Sequence, residues 1–307
     1  MKRAIVFFFV ALSAYAREFI GQVPLVEKID EVHFGGSRLN SPELLHNILH
    51  YQKFGELFVY LQVHWFRVLF LGITLGVLIV FLLHYLVIGP KKFSHDGKAY
   101  YVYSLFKRVI HWIAALAFVI IVPTGFMMIF GKELGGGEIV RYARYLHSVG
   151  TVLFVLSAVP MFLMWLVPML PSIDDVKWFF MLGGYLTKKK VVVPAGQFNA
   201  GQKMWFWVAM LGGFVMVATG AAMYFQDFDI CLLRKLNLDQ VDLLRVAAIV
   251  HNFFGMAISA LFITHLYMSL FAIKGSLDSM KSGYKSEDEI KYMHSSFYKK
   301  LLNKEKK

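Results

Sequence analysis

The chain has 307 residues, 58% of them hydrophobic and only 17% charged, a balance that excludes an ordinary soluble domain and belongs to the membrane class. Its formal charge of +12 does not mark a nucleic-acid binder, because the lysines lie mostly in a few loops and the C-terminal stretch. The single cysteine, Cys231, excludes a disulfide framework, a c-type haem attachment site and a cysteine-held iron–sulfur cluster within this chain, so any metal here must be held by histidine.

The opening MKRAIVFFFVALSAYA has a basic start, a short apolar stretch and small residues at Ala14 and Ala16, the pattern of a secretory signal over residues 1–16. Its apolar part is too short to span a bilayer. Residues 17–65 are mixed and polar and read as an extracytoplasmic extension. Five apolar spans follow, at about 66–88, 109–130, 146–170, 204–225 and 244–272, each near the twenty residues that a hydrocarbon core requires. The expected fold is therefore all-α, an integral membrane helical bundle of about five transmembrane helices. It divides into a first span with its cytoplasmic loop (66–105), a core (106–275) and a cytoplasmic tail (276–307). With the N-terminal extension outside, the segments 89–108, 171–203 and 273 onward are cytoplasmic and hold 5, 5 and 9 Lys plus Arg, against 5, 3 and 3 outside when Arg67 and Arg245 at the edges of their spans are counted. That bias gives the same orientation as the signal sequence.

Four histidines on the spans carry the chemistry. His251 and His265 lie fourteen residues apart on the fifth span. Fourteen steps of about 100° bring the second ring to within roughly 40° of the first, about 21 Å further along one helix face. His111 opens the second span at its cytoplasmic end and His147 opens the third at its outer end. Sorted by depth, His147 pairs with His251 and His111 with His265. Two imidazoles facing each other across a bundle supply the axial ligands of a b-type haem, so the pattern implies two haem b and a four-helix di-haem core. Gly150, Gly255 and Gly125 lie near these depths and would let a flat ring approach the backbone. Arg144, Arg245, Lys107 and Arg108 suit haem propionates or lipid headgroups. His84 has no partner of this kind and reads as structural; His33, His46, His50, His64, His95 and His294 read as surface residues. Any one intramembrane histidine alone would read as a snorkelling or hydrogen-bonded polar residue. Four that sort into two cross-helix pairs read as ligands.

The segments KRVIHW (107–112), RYLHSVG (144–150), FNAGQKMWFW (198–207) and VHNFFG through HLYMSLFAIKGS (250–276) resemble the gamma subunit of membrane-bound formate dehydrogenases, a di-haem cytochrome b. The likeness runs from about residue 107 to 285. It implies an inner haem on His111 and His265, an outer haem on His147 and His251, and a quinone, menaquinone or ubiquinone, contacting Asn199 and Gly201 beside His265. It also implies a bacterial inner membrane location with the N-terminal extension periplasmic, and partners in an iron–sulfur subunit and a molybdopterin catalytic subunit. The chain would then be a non-catalytic, quinone-reducing member of a formate:quinone oxidoreductase complex in a respiratory chain, with lipid and quinone as its other contacts and no nucleic acid. Read without the resemblance, NAGQK is an ordinary helix start, Asn199 as N-cap and Lys203 at the headgroups. Two other functions use the same histidines: the cytochrome b subunit of a hydrogenase or sulfur-compound reductase, and a membrane transporter whose histidines handle the cargo. A transporter would gather ligands and carboxylates near mid-membrane, whereas these spans hold almost no carboxylates.

Overall fold

A computed structural model describes residues 54–94, 97–225 and 240–306. The chain divides into two units, Met1–Glu56 and Leu57–Lys307, and the helical bundle is the second. The expected signal sequence, most of the extension, Cys231, His33, His46, His50 and His95 lie outside the described residues.

Five helices are long and apolar enough to cross a membrane. They are α1 (Phe66–Val87), α2 (Leu105–Ile129), α3 (Gly137–Trp165), α5 (Ala200–Phe225) and α6 (Gln240–Tyr267); a short helix, α4 (Ile173–Met181), lies between α3 and α5. The helical run containing α1 begins at Gly55, through one π turn at Leu61–Trp65, so part of the expected extension is apolar helix instead. Local signals set several starts. The Ser104 hydroxyl accepts from the Lys107 amide at 3.4 Å to cap α2, and Ser172 with Asp175 forms a capping box on α4.

The bundle is built from two hairpins. α2 packs along α3, α5 packs along α6, and α1 lies against α6. Gly212 and Gly213 permit the close approach of α5: a side chain on Gly212 would meet the Phe254 ring, and one on Gly213 the Phe154 ring. Between the hairpins lies an apolar core that includes Ile110, Ala114, Ala117, Phe118, Phe154, Ala158, Met161, Phe206, Met210, Ile258 and Phe262. Phe118 and Phe262 stack at its centre, ring centres 5.4 Å apart.

At one end of the bundle the three segments expected to be cytoplasmic come together, as an alternating topology requires. β1 (Ala99–Tyr101) pairs antiparallel with β2 (Tyr284–Ser286), and the Val193 amide donates to the Tyr292 carbonyl at 2.7 Å. Lys91 donates to the Thr187 and Lys189 carbonyls, and Lys190 pairs with Asp288 at 2.6 Å. The tail forms α7 (Glu287–Met293) and α8 (Ser295–Glu305). It does not lie as a loose charged strip. Lys285 and Glu289 are both buried and paired at 2.8 Å. His294, expected at the surface, is buried beside them; its Nδ1 donates to the Gly196 carbonyl at 2.9 Å, and its Nε2 lies 3.3 Å from the Lys285 ammonium. Burial, with the Lys285 charge next to it, depresses the His294 pKa to about 3. Burial alone would lower Lys285, but the Glu289 carboxylate and Tyr103 hydroxyl outweigh it and hold the ammonium above the usual lysine range. The sequence pattern marks this stretch as charged, and only the fold reveals that its charges pair inward.

Candidate metal centre

The site is built on α6, which carries His251 near its middle and His265 near its C-terminal end. His251 faces His147 of α3, ring centres 6.4 Å apart and planes at 54°. His265 faces His111 of α2, ring centres 6.3 Å apart and planes at 58°. All four rings thus form the two cross-helix pairs that depth alone implied.

The separations test whether a metal fits. With a metal–nitrogen bond of about 2.0 Å and roughly 1.1 Å from that nitrogen to the ring centre, one ion midway sets two imidazole centres about 6.2 Å apart. Both pairs meet that spacing. Among the described residues no cluster of three or more histidine, cysteine or carboxylate side chains is placed to hold a metal, and each histidine pair by itself offers two nitrogen ligands.

Each ring of the outer pair has a threonine behind it. Thr124 Oγ1 lies 3.0 Å from His147 Nδ1, and Thr219 Oγ1 lies 2.9 Å from His251 Nδ1. A glycine follows each threonine. A Cβ on Gly125 would stand 3.6 Å from His147 Cε1, and one on Gly220 3.4 Å from His251 Cε1, so these two positions seat the imidazoles. Gly150 and Gly255 serve helix packing instead: a side chain there would meet Ile120 and Ile121, or Phe70 and Met216. Sequence reasoning missed Thr124, Thr219 and Gly220. Their signal is the Thr-Gly pair occurring twice, in PTGFMM and ATGAAM, once per hairpin.

The inner pair is built differently. Trp205 stacks on His265, ring centres 5.5 Å apart and planes at 19°. His111 Nδ1 is buried and has no hydrogen-bond partner among the described residues. His84 is structural in this setting: its ring nitrogens meet the Tyr267 hydroxyl at 2.6 Å and the Tyr185 carbonyl at 2.9 Å, tying α1 to α6 and to the segment after α4.

Asn199 and Gly201 sit at the start of α5. Asn199 Oδ1 accepts from the Gln202 amide at 3.0 Å while Gln202 Oε1 accepts from the Asn199 amide at 2.9 Å, a reciprocal cap. The Asn199 side chain also faces the Tyr185 hydroxyl, whose pKa burial raises. Gly201 admits the Trp178 ring, which a Cβ would approach to 3.0 Å. Lys203 is buried rather than at a headgroup, paired with Asp175 at 2.8 Å. Of the basic residues considered for propionates, Arg108 donates to the Lys281 carbonyl and Arg144 lies over the Tyr224 ring at 5.5 Å.

The family described as prokaryotic cytochrome b561 matches residues 102–283, more than half of the chain and all four histidines. Among curated relatives, the formate dehydrogenase cytochrome b556(fdo) subunit of Escherichia coli is 25% identical over 203 residues, covering 65% of this chain and 92% of that one. The formate dehydrogenase cytochrome b556 subunit of Haemophilus influenzae is 25% identical over 199 residues, covering 62% and 79%. The nitrate-inducible cytochrome b556(Fdn) subunit of Escherichia coli is 24% identical over 207 residues, covering 65% and 90%.

Proposed function

The chain belongs to the prokaryotic cytochrome b561 family, and from that premise we propose that it is the membrane electron-transfer subunit of a formate dehydrogenase. In this reading it accepts electrons from a periplasmic iron–sulfur subunit, itself supplied by a molybdopterin catalytic subunit. It passes them through two b-type haems to menaquinone or ubiquinone near the cytoplasmic side of the inner membrane. The observation that carries the reading is the two imidazole pairs set fourteen residues apart along α6, with ring centres 6.3 and 6.4 Å apart. The names of the relatives favour formate dehydrogenase over a hydrogenase or sulfur-compound reductase. Histidines split into two pairs fourteen residues apart on α6, rather than gathered in one cluster, argue against a transporter.

His147 and His251 would hold the outer haem, His111 and His265 the inner one. When bound, such haems would supply one-electron redox chemistry. The chain's own part is to orient the four rings, exclude water with the Phe118 and Phe262 stack between them, and present donors to the quinone. A reduced-minus-oxidised visible spectrum with pyridine haemochrome quantification tests this. Two low-spin b haems per chain are expected, and a haem-free protein would overturn the reading.

For quinone, the Asn199 side chain has one polar atom engaged in the helix cap and its amide directed at Tyr185. That amide can orient a carbonyl, and the adjoining loop can admit the two protons that quinone reduction consumes. Asn199→Ser keeps a capping oxygen but removes the amide. We expect quinone turnover to fall about tenfold, the worth of one hydrogen bond, with the haem spectrum intact. Unchanged turnover would retire Asn199 from this role.

A further inference from the structure

The two threonines behind the outer pair are arranged alike on different hairpins. Thr124 Oγ1 donates into its own helix, lying 2.7 Å from the Ile120 carbonyl and 3.0 Å from that of Ile121. Thr219 Oγ1 does the same, 2.8 Å from the Val215 carbonyl and 3.2 Å from that of Met216. A hydroxyl has one proton. With that proton committed to the helix carbonyls, each threonine can only accept from the histidine, so Nδ1 of His147 and of His251 carries the hydrogen. The Nε2 lone pairs are left for the metal. Both rings are thereby set in one tautomer and one orientation before any ligand arrives.

The inner pair has no such support. His111 Nδ1 is buried without a partner, and the ring of His265 makes ring contacts with Trp205 and His111 but no hydrogen bond among the described residues. An axial imidazole that donates its N–H becomes a more basic ligand, which favours the oxidised metal and lowers its potential.

We propose that Thr124 and Thr219 are positioning residues of the outer haem, which fix the Nδ1–H tautomer of His147 and His251 and hold that haem at a lower potential than the inner one. Transfer from the outer end to the inner end is then downhill, and the direction is built into two hydroxyl groups. The inference rests on the two-haem reading of the proposed function.

The test is a redox titration of the purified complex, with the two haems resolved by their visible and paramagnetic resonance spectra. Thr124→Val and Thr219→Val, alone and combined, keep the side-chain shape and remove the acceptor; Thr→Ser at each position restores it. In the wild type the outer haem is expected to titrate below the inner. In the double Val variant the outer haem alone moves upward, by about tenfold in its reduced-to-oxidised ratio, which is about 59 mV for one electron. The Ser variants return it to the wild-type value. An outer haem that titrates above the inner in the wild type, an unmoved outer potential in the double variant, or an equal shift of both haems overturns the proposal. Should a Val variant lose the outer haem, the Ser variant decides: haem and potential both retained support the role, and either one lost removes it. Haem content measured first separates the two claims, since fewer than two haems in the wild type would defeat the two-haem reading itself.

Discussion

Under the proposed function, replacing His265 by Ala is expected to remove one of two b haems and, with it, quinone reduction. The ring stands 6.3 Å from His111 and is held flat against Trp205, so its loss would take away one of the two ligands proposed for the inner haem and open an apolar gap. Loss of a partner that merely orients a metal-binding histidine costs about 10–100-fold in affinity or activity, and loss of the ligand itself exceeds that. Haem per chain is expected to fall from two to one and quinone turnover by at least about 100-fold. The outer haem is expected to remain, because His251 lies fourteen residues from His265 on α6 and the threonines behind the outer pair, Thr124 and Thr219, make their contacts to His147 and His251 and not to His265. His84→Ala is the control on the same side of the bundle: it breaks the contact to Tyr267 and retains both haems. Retention of both haems in His265→Ala would remove this residue as a ligand.

The second large effect lies outside the spans. Lys285→Met leaves the Glu289 carboxylate, only 3% exposed, without its ammonium, and leaves His294 without its neighbour. Breaking a buried pair by removing one member costs about 3–5 kcal/mol. The tail that carries β2, α7 and α8 should then release from β1 and from the 193–196 segment. The measurement is protease accessibility and thermal unfolding in detergent, with haem content followed in parallel. The double variant Lys285→Met with Glu289→Leu, which removes both charges and keeps apolar volume, should recover most of the loss. A single variant as stable as the wild type would show that the pair contributes nothing to docking.

Much of this protein was legible from its residues in order. A stretch of about twenty apolar residues can satisfy its backbone inside lipid only as a helix, so the spans follow from hydropathy. Helical periodicity then gives face and depth, and for His111, His147, His251 and His265 these two coordinates sufficed to form the pairs that the structure places together. The helix start at Asn199 was equally readable, since a cap is a local device.

What periodicity does not carry is the identity of a neighbour across a helix interface. Thr124 reaches His147 and Thr219 reaches His251 over 23 and 32 residues, through contacts set by how each hairpin packs. The same holds for Gly150 and Gly255, whose depth suggested a macrocycle and whose neighbours are Ile120, Ile121, Phe70 and Met216. His294 reads as a surface residue because it lies outside the spans; its burial beside Lys285 comes with the pairing of β1 and the contact to the Gly196 carbonyl, which are remote in the chain. Sequence alone thus determined that this protein crosses a membrane and offers four imidazoles at two depths. The tertiary structure alone decided which hydroxyls, rings and charges stand behind them, because those contacts depend on the packing of whole helices and not on the spacing along any one.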